Sequence, residues 1–202
     1  QRVFNQLYES CRRDLGMKTR FKFKNPLLSI DSTHISLCSE MFPWATYSRQ
    51  KGALKLHFTL DHAGYLPAAM VITTGKYSEL MVAKRRQWEP GTILLMDRGF
   101  VDFGWFHHLT NSGVWFITRV KADMRYEVIE SEKMEGTGEA MTDERIRFTG
   151  PKSRKRCPDV CRVVTIQKAN GERFQFLTNN MSLAPSTIAA AYKDRWEIES
   201  FF

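Results

Sequence analysis

The order of apolar runs along this chain predicts an α/β fold: a mixed sheet flanked by helices, with a β-rich insertion before the last helix. Three observations predict it. An alternating pair of segments, Leu54–Asp61 and Leu66–Thr74, reads as an antiparallel hairpin. A short, wholly apolar run, Thr92–Met96 (TILLM), has the character of a central strand buried on both faces. Helical stretches separate that run from its neighbours, so the order is three strands, helix, strand, helix, strand, as in a layered α/β domain.

Taken in order, residues 1–20 repeat Val3, Phe4, Leu7, Tyr8 and Cys11 at helical spacing. Pro26–Leu37 (PLLSIDSTHISL) is a strand, apolar to Ile30 and then interrupted by Asp31. A polar, turn-rich loop follows to Gly52, and His62-Ala63-Gly64 turns the hairpin. Ser78 starts a helical stretch carrying Leu80, Met81, Ala83 and Trp88. The apolar strand ends at Asp97-Arg98-Gly99, residues 102–112 suit a helix, and Val114–Val120 is another strand.

The texture changes near Ala122. Between there and about residue 174, Gly136-Thr137-Gly138, Gly150-Pro151 and Asn170-Gly171 separate short alternating segments such as Tyr126–Ile129 and Val163–Gln167. Asn-Gly is a strong hairpin signal. Phe174–Asn179 returns as a strand, and Pro185, suited to a first helical turn, opens a helix that runs to the end. The expected division is a helical, basic segment at 1–25, the first part of the core at 26–121, the insertion at 122–174, and the final strand and helix at 175–202. The chain opens at Gln1 and stops at Phe202 inside that helix, which reads as a segment of something longer.

With 202 residues, 43% of them hydrophobic, the chain can bury one good core. Lys and Arg number 30 against 22 Asp and Glu, a net charge of +8 that suits a polyanion binder. Arg12, Arg13, Lys18, Arg20, Lys22 and Lys24 crowd the N-terminal segment, and Lys152, Arg154, Lys155 and Arg156 form a second cluster. Each cluster suits phosphate contacts, and each is equally a solvated face. Cys11, Cys38, Cys157 and Cys161 are too few and too scattered for a disulfide framework and read as reduced thiols of a cytoplasmic protein. No run approaches a membrane span and no secretory signal opens the chain.

Three acids stand at telling places. Asp31 interrupts an apolar strand, where an unpaired carboxylate is costly to bury. Asp97 follows the most buried-looking strand, where α/β folds place functional groups. Glu199 lies on the last helix. Singly, the aspartates read as turn caps and the glutamate as a surface residue. Together they suit a hard divalent cation, which takes carboxylate oxygens, and two such ions suit phosphoryl transfer in nucleic acids. Tyr192, Arg195 and Glu199 stand at i, i+3 and i+7, on one face of the expected helix, whereas Glu197 does not. Arginine there is a planar clamp for phosphate, or else an intrahelical partner of Glu199.

At these residues the chain resembles the transposases of insertion sequence family four. Tyr192, Arg195 and Glu199, with Trp196, Ile198 and Phe201-Phe202, resemble the Y-R-E part of that family's Y-R-E-K signature. Asp31-Ser32-Thr33 and Asp97-Arg98-Gly99-Phe100 resemble the segments holding its two catalytic aspartates. The resemblance covers about residues 26–202. It implies a ribonuclease-H-like fold with a β-strand insertion between the second aspartate and the glutamate. It further implies cut-and-paste transposition through a DNA hairpin, with Asp31, Asp97 and Glu199 as ligands of two Mg²⁺ or Mn²⁺ ions. Tyr192 and Arg195 would contact the phosphate of the transposon end; apart from the resemblance, Arg98 and Lys55 are further candidate DNA contacts. The implied partners are double-stranded DNA, both transposon ends and target, and a second copy in a full-length synaptic homodimer. The signature's lysine falls seven residues beyond the glutamate, past Phe202.

Competing readings are a nuclease of the same fold and an inactive or domesticated fragment that only binds DNA. Lys55 and His57 on the hairpin have an edge-strand solubility role as their alternative. His107-His108 reads as a helix-surface pair, Trp105 and Trp115 as core, and Trp44 as one candidate to hold a flipped base.

Overall fold

Hydrophobic periodicity accounts for most of the elements, and side-chain clamps account for where they stop. The computed structural model describes residues 2–14, 20–38, 46–48, 51–135 and 139–201; Lys18, Trp44 and Gly136-Thr137-Gly138 lie outside them. The chain divides into two compact units, Gln1–Gln87 with Glu197–Phe202, and Trp88–Trp196.

In the first unit, α1 (Arg2–Asp14) packs against β4 (Leu66–Thr74). Tyr8 donates from its hydroxyl to Asp61 Oδ2 at 2.7 Å. β1 (Leu27–Leu37) and β4 flank β3 (Lys51–Asp61) in an antiparallel sheet, and the short β2 (Thr46–Ser48) pairs with the start of β3. β3 therefore begins earlier than its alternation indicated. Its first residues pair with both Leu37 and Thr46, which satisfies their backbone groups without any apolar pattern. The hairpin reverses through Gly64 (φ 101°) and Tyr65 (φ 55°), both left-handed. α2 (Glu79–Arg85) stops short of Trp88, contrary to expectation. Arg86 turns out of the helix with an extended backbone, and its Nη1 donates to Thr59 Oγ1 at 2.6 Å, tying the helix end to the sheet.

The second unit is a mixed sheet in the order β5-β6-β10-β9-β8-β7. β5 (Ile93–Leu95) runs parallel to β6 (Trp115–Arg119), and the rest pair antiparallel: β10 (Arg173–Thr178), β9 (Cys161–Lys168), β8 (Glu139–Phe148) and β7 (Tyr126–Glu135). α3 (Phe103–Asn111) joins the two parallel strands. Asp102 caps it by accepting the Trp105 N–H at 2.8 Å, and Phe106 stacks on Phe116 with ring centroids 4.1 Å apart. Ile93, Leu94, Leu95, Met96, Phe106, Phe116, Ile117 and Leu177 are fully buried and form the heart of this core. Asn179 ties its layers: its carbonyl accepts the Phe116 N–H, and its amide donates to Thr110 Oγ1 and Val114 O, all at 2.9 Å.

Between residues 122 and 174 the strands are longer than the short segments expected, and β8 had no signal at all. β7 and β8 are rich in charge, as Glu130–Arg145 at 2.7 Å illustrates, so no apolar alternation marks their length. The basic run forms a six-residue helix, α4 (Pro151–Arg156). The Asn170-Gly171 hairpin forms as expected, joining β9 to β10 with Gly171 at φ 85°.

The last helix is not continuous. α5 (Pro185–Asp194) closes with i→i+3 bonds, Arg195 N–H to Tyr192 O at 3.2 Å and Trp196 N–H to Lys193 O at 3.3 Å. α6 (Glu197–Phe201) then begins afresh. The single helix expected from Pro185 to the end is therefore two, with Tyr192 and Arg195 at the end of the first and Glu199 in the second. Arg195 is buried at the tightened turn, and Glu197 and Glu199 fall in a new first turn, where acidic side chains are favoured.

Candidate active site

Burial of β5 up to Met96 delivers Asp97 to the end of the strand, half-exposed, where the chain must turn. The Asp97 carboxylate caps the following 3₁₀ turn, Arg98–Phe100, with Oδ1 accepting the Gly99 N–H at 2.7 Å. Thr118 Oγ1 donates to the Asp97 carbonyl at 3.1 Å and fixes the turn to β6. A Cβ at Gly99 would sit 3.0 Å from Asp97 Oδ1, so glycine there leaves room for the carboxylate.

Asp97 opens into a cavity of about 600 Å³ that Arg98, Arg119, Tyr192 and Arg195 also line. Tyr192 is buried against Phe176, with centroids 5.2 Å apart. Burial pushes its phenol above the usual value of 10.0, against the opposing pull of Arg195 and Arg119. The Arg195 guanidinium lies over both the Tyr192 ring (5.4 Å) and the Trp196 ring (5.6 Å), which holds a buried cation in place without neutralising it. Arg119 lies over Phe174 at 5.3 Å, and its Nε is buried without a hydrogen-bond partner among the described residues. Sequence reasoning missed Arg119, Lys168 and Phe174, which also line this cavity. They come from three different strands and carry no spacing signal.

In the first unit, Asp31 is half-buried on β1, and its Oδ1 accepts the Ser32 N–H at 2.8 Å. α6 packs on the same strand, with Ile198 buried and Glu199 exposed. Asp31 and Glu199 thus stand on packed elements of one unit, while Asp97, Arg98, Tyr192 and Arg195 line one cavity of the other. Within either unit, no group of three or more His, Cys, Asp or Glu among the described residues is gathered to hold an ion. The donor set of Asp31, Asp97 and Glu199 fits a hard divalent cation by chemistry. Each of the three offers carboxylate oxygens, the donors such an ion takes, and a backbone N–H holds one oxygen of each aspartate.

Lys55 lies on the hairpin strand, as expected, and is buried there. β3 is flanked on both sides, so the edge-strand reading of Lys55 and His57 does not hold. Lys55 Nζ is buried 2.6 Å from Glu79 Oε1, which also accepts the Ser32 hydroxyl at 2.6 Å. Burial alone would raise the Glu79 carboxyl, but the Lys55 and Ser32 hydrogen bonds and the charges of Lys55 and His57 hold it below 4.5. His57 pairs with Thr73 Oγ1 at 2.9 Å. Burial first, then the Lys55 charge and His34, depress its imidazole below 6.5 against the pull of Glu79. A folded-state value below the unfolded one means the unfolded chain binds more protons, so stability falls as pH drops below 6.5. Melting temperature should therefore decline between about pH 7 and about pH 5 more steeply in the wild-type chain than in His57→Gln. Parallel profiles for the two proteins would refute this placement of the histidine.

Of the remaining expectations, Trp105 is core and Trp115 half-buried. His107 is more than a surface residue: its Nδ1 pairs with Asp159 Oδ2 at 2.7 Å.

The profile of the transposase DDE domain family matches residues 22–202. The chain belongs to that family. Two relatives agree with this DDE-domain assignment. A putative transposase, y4zB, of Sinorhizobium fredii (strain NBRC 101917 / NGR234) is 27% identical over 203 residues, covering 99% of this chain and 57% of that protein. A probable transposase for insertion sequence element IS5377 of Geobacillus stearothermophilus is 26% identical over 204 residues, covering 100% of this chain and 53% of that one. The DDE domain described here thus spans a little over half the length of either relative. In three dimensions it is similar to piggyBac transposase in its cryo-EM synaptic complex with hairpin DNA, with a TM-score of 0.50 at 13% identity, over 86% of this chain and 39% of that one. That likeness is one of fold, a mixed α/β architecture shared with a transposase. No helix among the described residues is long and apolar enough to cross a membrane.

Proposed function

We propose that this DDE domain is the catalytic core of a cut-and-paste transposase of insertion sequence family four, cleaving the DNA strands at an element's ends and joining them to a target. One observation carries the reading: a carboxylate at the end of the most buried strand, Asp97, shares a cavity with three guanidinium groups and the buried phenol of Tyr192. An acid that suits a cation, set beside donors that suit phosphate, is the pairing phosphodiester chemistry requires.

On this reading the fold is ribonuclease-H-like and residues 122–174 are its β-rich insertion, with 1–25 a basic leading segment and 26–121 and 175–202 the core. Asp31, Asp97 and Glu199 would hold two Mg²⁺ or Mn²⁺ ions, whose charge would favour in-line displacement at phosphorus when bound. Arg98 and Arg195 would grip non-bridging phosphate oxygens of the transposon end. The Tyr192 hydroxyl, kept protonated by burial, would donate to the same phosphate. Lys55 would act at one remove, holding α2 against β1 and β3 through Glu79. The whole protein would work on duplex DNA in the cytoplasm as a synaptic homodimer.

Calorimetric titration of the chain with Mn²⁺, beside Asp97→Ala and Glu199→Ala, tests the acid site. Weaker binding in both variants is the expected result. Binding that neither substitution changes would mean the acids do not act together and would sink the reading. On full-length protein, strand joining in addition to cleavage separates a transposase from a nuclease of the same fold.

A further inference from the structure

The second basic cluster finds no use in the site above, yet the fold holds it with some care. α4 is tied to the start of α3 by an exposed ion pair: Arg156 Nη2 donates to Asp102 Oδ2 at 2.8 Å and Oδ1 at 3.0 Å, and Asp102 also caps α3. A Cβ at Gly104 would meet that guanidinium at 3.0 Å, so α3 leaves room for it. Ser153, buried, donates to Gly150 O at 3.0 Å and fixes the helix start. Lys152 and Lys155 are exposed three residues apart, on one side of α4. Lys152 borders a groove of about 480 Å³ whose rim also carries Lys121 and Arg125, over an apolar floor that includes Phe103 and Met124. Asp123 is the one acid lining it. None of these four cations has an ion-pair partner among the described residues. Val101, directly beyond the Asp97 turn, lines the same groove, so the groove begins where the Asp97 turn ends.

We propose that this groove and the exposed side of α4 are a second DNA surface, one that grips the phosphodiester backbone of a duplex without reading its sequence. It rests on the reading of the chain as a DNA-processing domain, but needs no metal and none of the three acids. Three cations and one acid line the groove, and Lys155 adds a fourth cation on the exposed side of α4. Cations without an ion-pair partner among the described residues match a uniform line of phosphates. The cost of leaving like charges together is repaid when condensed counterions are released from DNA.

The test measures binding of the whole chain to a random-sequence duplex lacking any terminal repeat, by fluorescence anisotropy across a salt series in EDTA. The variant Arg125→Ala/Lys152→Ala/Lys155→Ala is compared with Lys76→Ala/Arg85→Ala/Lys133→Ala, which removes the same charge from exposed sites outside the groove. Each lost phosphate contact lowers the slope of log K against log[salt] by about 0.9, so the groove variant should lose up to about 2.7 in slope and roughly 10-fold or more in affinity near 0.1 M salt. The control should change far less, with both variants melting like the wild type. Equal losses in the two variants would overturn the proposal and leave a solvated face. Binding to phosphatidylserine vesicles that falls with the groove variant, while duplex binding does not, would overturn it in favour of a lipid surface. Absence of duplex binding by the wild type would also overturn it, while Mn²⁺ binding lost in Asp97→Ala would still uphold the acid site, so the two readings fail separately.

Discussion

Arg162→Ala should cost the chain about 3–5 kcal/mol of stability, the largest effect expected of any single substitution outside the apolar core. Arg162 is buried on β9 and reaches diagonally to Asp143 on β8, with Nε–Oδ1 at 2.7 Å and Nη2–Oδ2 at 2.5 Å. Its Nη1 donates to the carbonyls of Asn180 and Leu183, at 3.1 and 2.7 Å, in the loop that leads into α5. Truncation strands a largely buried carboxylate and two carbonyls at once, and leaving such partners unpaired is what makes a buried pair costly to break. Asp143→Asn should cost less, because the two loop carbonyls keep their donor. Chemical denaturation of both variants checks the order. A loss below about 1 kcal/mol for Arg162→Ala would show that water replaces the guanidinium and that the bridge behaves as a surface pair.

The second large effect is expected on catalysis. In the full-length protein, Asp97→Asn should lower DNA-end cleavage by on the order of 10³-fold or more, with stability nearly unchanged. Asparagine keeps an oxygen for the Gly99 N–H, and the Thr118 bond goes to the backbone carbonyl, so the turn survives while the charge is lost. Gly99→Ala gives a graded counterpart. Its methyl would press on Oδ1 from 3.0 Å and turn the carboxylate, for roughly a 10–100-fold loss of metal affinity. Cleavage by Asp97→Asn at the wild-type rate would remove Asp97 from the reaction, and with it the cavity it shares with Tyr192 and Arg195.

How much of this was legible in advance varies with the kind of signal. The 54–74 hairpin, the apolar β5 and the Asn170-Gly171 turn were readable because local burial and turn chemistry alone produce them. β8 was not, since Glu139–Phe148 gains its order from β7 and β9 on either side and shows little alternation of its own. Nor was α4 visible: a run of lysine and arginine does not disclose that Arg156 finds Asp102 fifty-four residues away in sequence. The break at Arg195 escaped for a related reason. A helical repeat in sequence cannot reveal where the turn closes with i→i+3 bonds and a second helix begins.

The sequence by itself determined the α/β class, the candidate acids and the basic character, because these follow from residue type, short-range periodicity and net charge. Only the tertiary structure decided which side chains share a cavity with Asp97 and which are withdrawn from the surface. Lys55 and Lys152 are the same residue in composition. One is buried in an ion pair with Glu79 and the other exposed beside a groove, since burial and pairing depend on partners that packing supplies from distant parts of the chain.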